Sequence, residues 1–202
     1  DSFTATFTAD DGVETTGSVT VGTDYTDTAG NAGTAGTDTV AVDTLNPTVV
    51  VNIVDASLND GDNSSAVTFE FSEDVTGFEA TDVTVAGGSL SNLLAVDGDS
   101  FTATFTADDG VETTGSVSVG TGYTDAVGNT GTAGSDSVTI DTLNPTVTVT
   151  PNGTTTSDSP IVFTFQFSET VTGFVSGDVS ITNGSAGTLM AVDGDTFTLE
   201  VT

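Results

Sequence analysis

Cysteine, histidine, lysine, arginine and tryptophan are all absent from the 202 residues, and each absence removes a class of function. Without cysteine there is no disulfide framework, no thiol nucleophile and no thiolate metal site. Without histidine there is no imidazole base, no serine-type triad of the usual kind and no imidazole ligand. Without lysine or arginine nothing clamps a phosphate, and a nucleic-acid backbone is repelled. Thirty Asp and Glu therefore give a formal charge of −30 with no protein cation to balance it. No apolar run reaches the roughly 18 residues of a membrane-spanning helix, so direct membrane insertion is not expected. What remains for chemistry is oxygen: carboxylates, amides, hydroxyls and backbone carbonyls.

High net charge with only 35% hydrophobic residues is a disorder-like composition. The arrangement of those residues argues for a fold instead. Val67, Phe69 and Phe71 alternate with Thr68 and Glu70, and Phe101, Ala103 and Phe105 alternate with Thr102, Thr104 and Thr106. Period two is the mark of a strand with one buried face. Similar runs lie at Val49–Ile53, Val83–Val85, Val117–Val119 and Val138–Ile140, and no stretch sustains a 3.6 period. The chain reads as all-β.

Internal repetition sets the architecture. Residues 1–49 recur at 99–147 with 40 of 49 identical, an offset of 98. The block FSEDVTGF at 71–78 returns as FSETVTGF at 167–174, and AVDGD at 95–99 returns at 191–195, both at an offset of 96. A unit of this size with seven short strands predicts an immunoglobulin-like β-sandwich. In the complete copy the expected strands are A at 48–54, B at 66–72, C at 82–87, D at 89–95, E at 100–107, F at 115–120 and G at 135–141. Alternating direction puts the B–C, D–E and F–G loops at the end where the chain enters, and the A–B and E–F loops where it leaves. Residues 1–44 read as strands E to G of one domain, 45–142 as a complete domain, and 143–202 as strands A to E of a third. Such tandem domains are expected to form a rod, and the chain is expected to be an excerpt of a longer array. Exchange of halves between copies is the alternative, but on sequence it would duplicate strand E.

The segments VTFEFSEDVTGFEATDVTV (67–85), AVDGDSFTATFTADDG (95–110), YTDAVGN (123–129) and DTLNPTVTV (141–149) carry a family resemblance. In fixed order they resemble the bacterial immunoglobulin-like tandem repeats of giant biofilm adhesins exported by type I secretion, in particular their extender region. The resemblance covers essentially the whole chain. It implies a secreted, non-enzymatic spacer at the bacterial cell surface, stiffened by calcium, that holds a distal binding domain away from the cell.

Oxygen-only chemistry makes a hard cation the natural cofactor, because Ca²⁺ takes six to eight oxygens in forgiving geometry. The expected topology gathers acids at each junction. The linkers carry Asp43 and Asn46, then Asp141 and Asn144. The complete domain presents Glu73, Asp97, Asp99, Asp125 and Asn129 at the end where the chain enters. The third presents Glu169, Asp193 and Asp195, and the E–F loops add Asp11 and Asp109. Two carboxylates about 4 Å apart repel by roughly 4 kcal/mol at an effective dielectric of 20, and a divalent cation reverses that sign. The alternative reading is that acidic loops are only solvated loops. Asp97-Gly98-Asp99 is a good turn whatever it binds, and Asn59-Asp60-Gly61-Asp62-Asn63 resembles the start of a calcium loop without its closing Glu.

Near-identical copies argue against an active site in each repeat, and paired carboxylates alone do not make a glycosidase. Tyr25 and Tyr123, at equivalent positions, read as corner packing. The expected partners are neighbouring repeats of the same chain, with association between fibres through divalent cations. The leading reading is a structural spacer in a surface adhesin. The alternatives are repeats that bind a ligand themselves, or a self-assembling extracellular matrix fibre.

Overall fold

The computed structural model describes residues 2–153 and 160–202. They form two compact units, Asp1–Thr142 and Leu143–Thr202. The first begins with an antiparallel hairpin, β1 (Glu14–Val21) and β2 (Gly36–Asp43), followed by a complete sandwich. Its strands are β3 (Val49–Ile53), β4 (Ser57–Asn59), β5 (Ser64–Phe71), β6 (Val83–Ala86), β7 (Gly88–Ala95), β8 (Ser100–Ala107), β9 (Glu112–Val119) and β10 (Gly134–Asp141). One sheet has the order β3-β5-β8-β7 and the other β4-β10-β9-β6. This is the A-B-E-D and C-F-G layout of an immunoglobulin-like sandwich.

The alternating apolar residues explain why two layers form. Val67, Phe69 and Phe105 from one sheet, and Val117, Val138 and Ile140 from the other, meet in one buried core. The FSEDVTGF block supplies an aromatic corner to that core. Phe78 packs edge-on against Phe71 at 5.0 Å and Phe101 at 4.9 Å, and Tyr123 against Phe71 at 4.8 Å. Such edge-to-face pairs add to simple area burial. Tyr123 also donates its hydroxyl to Thr132 O at 2.7 Å.

Strand β4 lies within the segment expected as the A–B loop. After β3 the chain switches sheets, and Ser57–Asn59 pairs parallel with Thr139–Asp141 of β10. The amide of Ile53, freed by the switch, donates to the Asp136 carboxylate at 2.8 Å. A three-residue strand with one apolar side chain, Leu58, leaves no periodic signal. The return passage is as sharp: Gly87 alone joins β6 in one sheet to β7 in the other. It has φ +70, and an added Cβ would lie 3.1 Å from Gly115 Cα, so both backbone angle and space require glycine.

Two expected strands are not formed. Residues 2–9, read as strand E of the first domain, have no strand structure. Their counterpart β8 is held by β5 and β7, and residues 1–44 supply no strand equivalent to either. In the second unit, β11 (Val147–Pro151), β12 (Ile161–Phe167), β13 (Ala186–Ala191) and β14 (Thr196–Val201) make one sheet in the order β11-β12-β14-β13. The segment after the short 3-10 turn Ser176–Asp178, read as strand C, stays irregular. Strand C of the complete domain, β6, pairs with β9, and residues 143–202 contain no equivalent of β9.

Candidate metal centre

Three separate segments are fastened together where the chain enters the complete sandwich. The B–C and F–G loops are zipped by Thr76 and Thr124, whose amides and carbonyls exchange hydrogen bonds at 2.7 and 3.0 Å. The linker is anchored by Pro47, whose carbonyl accepts from the Thr132 amide at 2.9 Å and the Tyr123 hydroxyl at 3.3 Å. The side chain of Asn129 joins the two attachments. Its Nδ2 donates to Asp125 Oδ2 at 2.7 Å, and to Asp43 Oδ1 and O at 3.3 Å.

This fastening brings carboxylate oxygens of Asp43, Glu73 and Asp125 within 4.8 Å of one another, the one such acid group among the described residues. Asp125 is only 2% exposed. Desolvation opposes its ionisation, but four hydrogen bonds outweigh that and hold its carboxyl below the usual range. They come from Asn129 Nδ2 and from the amides of Asn129, Gly128 and Val127. Glu73 behaves oppositely. Partial burial pushes its pKa up, and the charges of Asp125, Asp43 and Glu14 push it further. Glu14 did not figure in the sequence reading. The signal was the hairpin register, because Glu14 sits directly across from Asp43.

The other candidates have different places. Asn129 donates its Nδ2 to the Asp43 and Asp125 carboxylates, and in the first copy Asn31 makes the equivalent bond to Asp27. Asn46 lies in the linker outside the acid group, as do Asp97 and Asp99 in the D–E turn. That turn is self-satisfied: in the second unit Asp193 Oδ1 accepts from the amides of Asp195 at 3.2 Å and Thr196 at 2.8 Å. Asp11 and Asp109 occupy E–F turns stitched by threonine, with Thr44 Oγ1 donating to Asp10 O and Thr142 Oγ1 to Asp108 O. The Asn59–Asn63 segment, which resembles the start of a calcium loop, forms a turn outside the acid group. Asn59 Oδ1 accepts from the amides of Gly61 at 2.8 Å and Asp62 at 3.1 Å, so it closes a tight turn. In the second junction, Asp141 ends β10 of the first unit. Asn144 and Glu169 belong to the second unit, which has no counterpart of Asp125.

The direction of the Glu73 shift gives a testable pH dependence. The folded state binds its proton more tightly than the unfolded chain, so stability falls as pH rises through the raised value. Asp27, Asp125 and Asp193 are shifted down, so their contribution is present above the ordinary Asp range and lost as pH falls through their lowered values. Metal-stripped protein is therefore expected to melt higher near about pH 5 than at pH 7, then lose stability below about pH 4. The rise should shrink in Glu73→Gln. Melting curves followed by circular dichroism check this, and an equal rise in the variant would show that general charge reduction is responsible.

The sequence matches the bacterial Ig-like domain family over residues 43–142 and again over residues 141–202. The chain belongs to that family. Both matched segments open on the Asp of a DTLNP linker, the position of Asp43 in the acid group. Solved structures similar to this chain include the Escherichia coli adhesin FdeC, at 19% identity and a TM-score of 0.40, covering 86% of this chain and 62% of that one. The Yersinia pseudotuberculosis adhesin InvE is similar at 18% identity and a TM-score of 0.33, covering 77% of this chain and 51% of that one. Domains 4–9 of the surface layer protein SbsC are similar at 18% identity and a TM-score of 0.27, covering 94% and 31%. Sequence comparison with curated proteins gave no match. Among the described residues no helix is long and apolar enough to cross a membrane.

Proposed function

We propose that these bacterial Ig-like repeats are spacer modules of a long cell-surface adhesin, stiffened where one repeat joins the next by a calcium ion. The observation that carries this reading is the convergence of Asp43, from the linker, with Glu73 and Asp125, from two loops of the following domain. A donor set of oxygen alone, with net negative charge and no nearby protein cation, fits Ca²⁺ and no soft metal. Asp43, Glu73 and Asp125 would hold the ion. It would neutralise their repulsion and tie the linker to the domain it enters. Repetition supports spacing over ligand binding, because copies 1–49 and 99–147 differ mainly by small swaps and not by diverged loops.

An array of four complete repeats tests the mechanical role. Domains about 35 Å long plus a linker extend a straight array by roughly 40 Å per copy. Small-angle scattering in calcium should give a maximum dimension near that sum, and metal-stripped protein a shorter one with the domains still folded. An unchanged dimension would remove calcium as the stiffening agent.

A further inference from the structure

We infer that the entering and leaving segments of the complete repeat form a shear clamp, which resists tension along the chain and needs no metal to do so. The direction of load rests on the spacer reading above: tension in a tandem array enters through the linker before Pro47 and leaves after Asp141. Between those points the two segments are bonded side by side. The Pro47 carbonyl accepts from the Thr132 amide at 2.9 Å, and the Ile53 amide donates to Asp136 Oδ2 at 2.8 Å. The Thr139 amide donates to Ala56 O at 3.3 Å. Ser57, Leu58 and Asn59 of β4 then pair parallel with Thr139, Ile140 and Asp141 of β10. Partner numbers rise together, from Pro47 with Thr132 to Asn59 with Asp141, so the parallel sense holds along the whole row.

That sense decides the mechanics. Pulling the entering segment backwards and β10 forwards slides one past the other, and every link must stretch at once. The β9–β10 hairpin is antiparallel, with Glu112 opposite Asp141, so pulling its two ends apart opens one pair at a time. The clamp is shielded from water where β4 meets β10, since Leu58 is 1% and Ile140 0% exposed. Hydrogen bonds that water cannot reach are electrostatically stronger and are not readily exchanged for solvent. The two segments also approach closely at the other end, where an added Cβ on Gly134 would lie 2.6 Å from Val49 O. Asp136 spans the interval between Pro47 and Ala56. Among the described residues no other hydrogen bond joins residues 48–55 to β10, so this carboxylate is the pin in the middle of the row.

Optical-tweezer pulling on the full 202-residue chain in chelator tests this, and the absence of native cysteine lets thiol anchors be placed freely. Leu45→Cys with Leu143→Cys loads the repeat along the chain, and Asp109→Cys with Leu143→Cys opens the β9–β10 hairpin. All three positions are exposed. Leu45 follows Asp43, so the pull does not pass through the linker carboxylate of the acid group. Loading along the chain should give one rupture that releases about 300 Å of chain. Its force should be at least about twofold that of opening the hairpin, because the parallel links share the load instead of failing in turn. Both anchor pairs load the same fold, and forced unfolding follows the unfolding rate, so the ratio reports geometry and not equilibrium stability. Asp136→Ala should lower the force along the chain towards that of the hairpin and leave the hairpin force unchanged. Asp136→Asn keeps an acceptor for the Ile53 amide and should restore it. Equal forces along the two axes, or an equal loss along both in Asp136→Ala, would overturn the inference. So would a difference that appears only when calcium is added, which would assign the resistance to the metal. A difference that persists in chelator while calcium leaves the scattering dimension unchanged would uphold the clamp and remove only the calcium reading.

Discussion

Moving the protein from millimolar calcium into chelator at matched ionic strength is expected to lower the melting temperature of the complete domain by about 10–20 °C. A ligand at a hundredfold excess over its Kd stabilises the native state by about 2.7 kcal/mol. Each kcal/mol moves the midpoint of a domain of this size by roughly 4–8 °C. Glu73→Gln separates coordination from screening because its effect should change sign. In chelator the substitution removes the carboxylate that Asp125, Asp43 and Glu14 repel, so the variant melts higher than wild type. In calcium it removes a ligand, so the variant melts lower. A strand-face control, Glu70→Gln, should show no crossover, since Glu70 lies outside the acid group and accepts a hydrogen bond from Ser100. Differential scanning calorimetry of the three proteins decides the matter. Parallel behaviour of Glu73→Gln and Glu70→Gln would leave only diffuse screening.

Phe105→Ala is expected to come close to unfolding the complete domain whatever the metal content. Phe105 is fully buried on β8, between Ser65 of β5 and Leu90 of β7, and its ring reaches the opposite sheet at Gly115. Removing such a ring costs about 3–5 kcal/mol, because the lost transfer energy is joined by a cavity. A typical domain holds only about 5–15 kcal/mol in total. At roughly 4–8 °C per kcal/mol for a domain of this size, the midpoint should fall by more than about 12 °C. Val127→Ala, on the exposed F–G loop, should change stability by no more than about 0.5 kcal/mol. Urea unfolding in calcium measures both. A Phe105→Ala loss near that of Val127→Ala would mean that the two sheets do not share one core.

Much of the sandwich was legible because strand formation is a local pattern. The runs at 67–71 and 101–105 alternate in period two, and the structure places them side by side as β5 and β8. The acids were legible only as a list. Asp97 and Asp99 looked as good as Asp125 by composition and by end of the domain, yet they lie outside the acid group. Glu14 went unnoticed because it belongs to the preceding copy, and only pairing across the hairpin sets it opposite Asp43. Thr142 carried no signal at all, yet it is buried and takes part in both faces of a clasp, donating to Asp108 O and accepting from the Val111 amide.

By itself the sequence determined the chemistry and the unit of construction. Five absent residue types leave oxygen as the only ligand, and period-two runs recurring at 98 residues make tandem β domains. Tertiary structure alone decided which segments become strands at the margins and which acids meet. Residues 2–9 repeat the sequence of β8 without its structure, because a strand forms only where a neighbour takes up its amides and carbonyls. The same holds for the acid group. Asp43, Glu73 and Asp125 come from a linker and two loops far apart in the chain. Their meeting depends on Pro47, Thr76, Thr124 and Asn129, whose hydrogen bonds exist only once the sheets have packed.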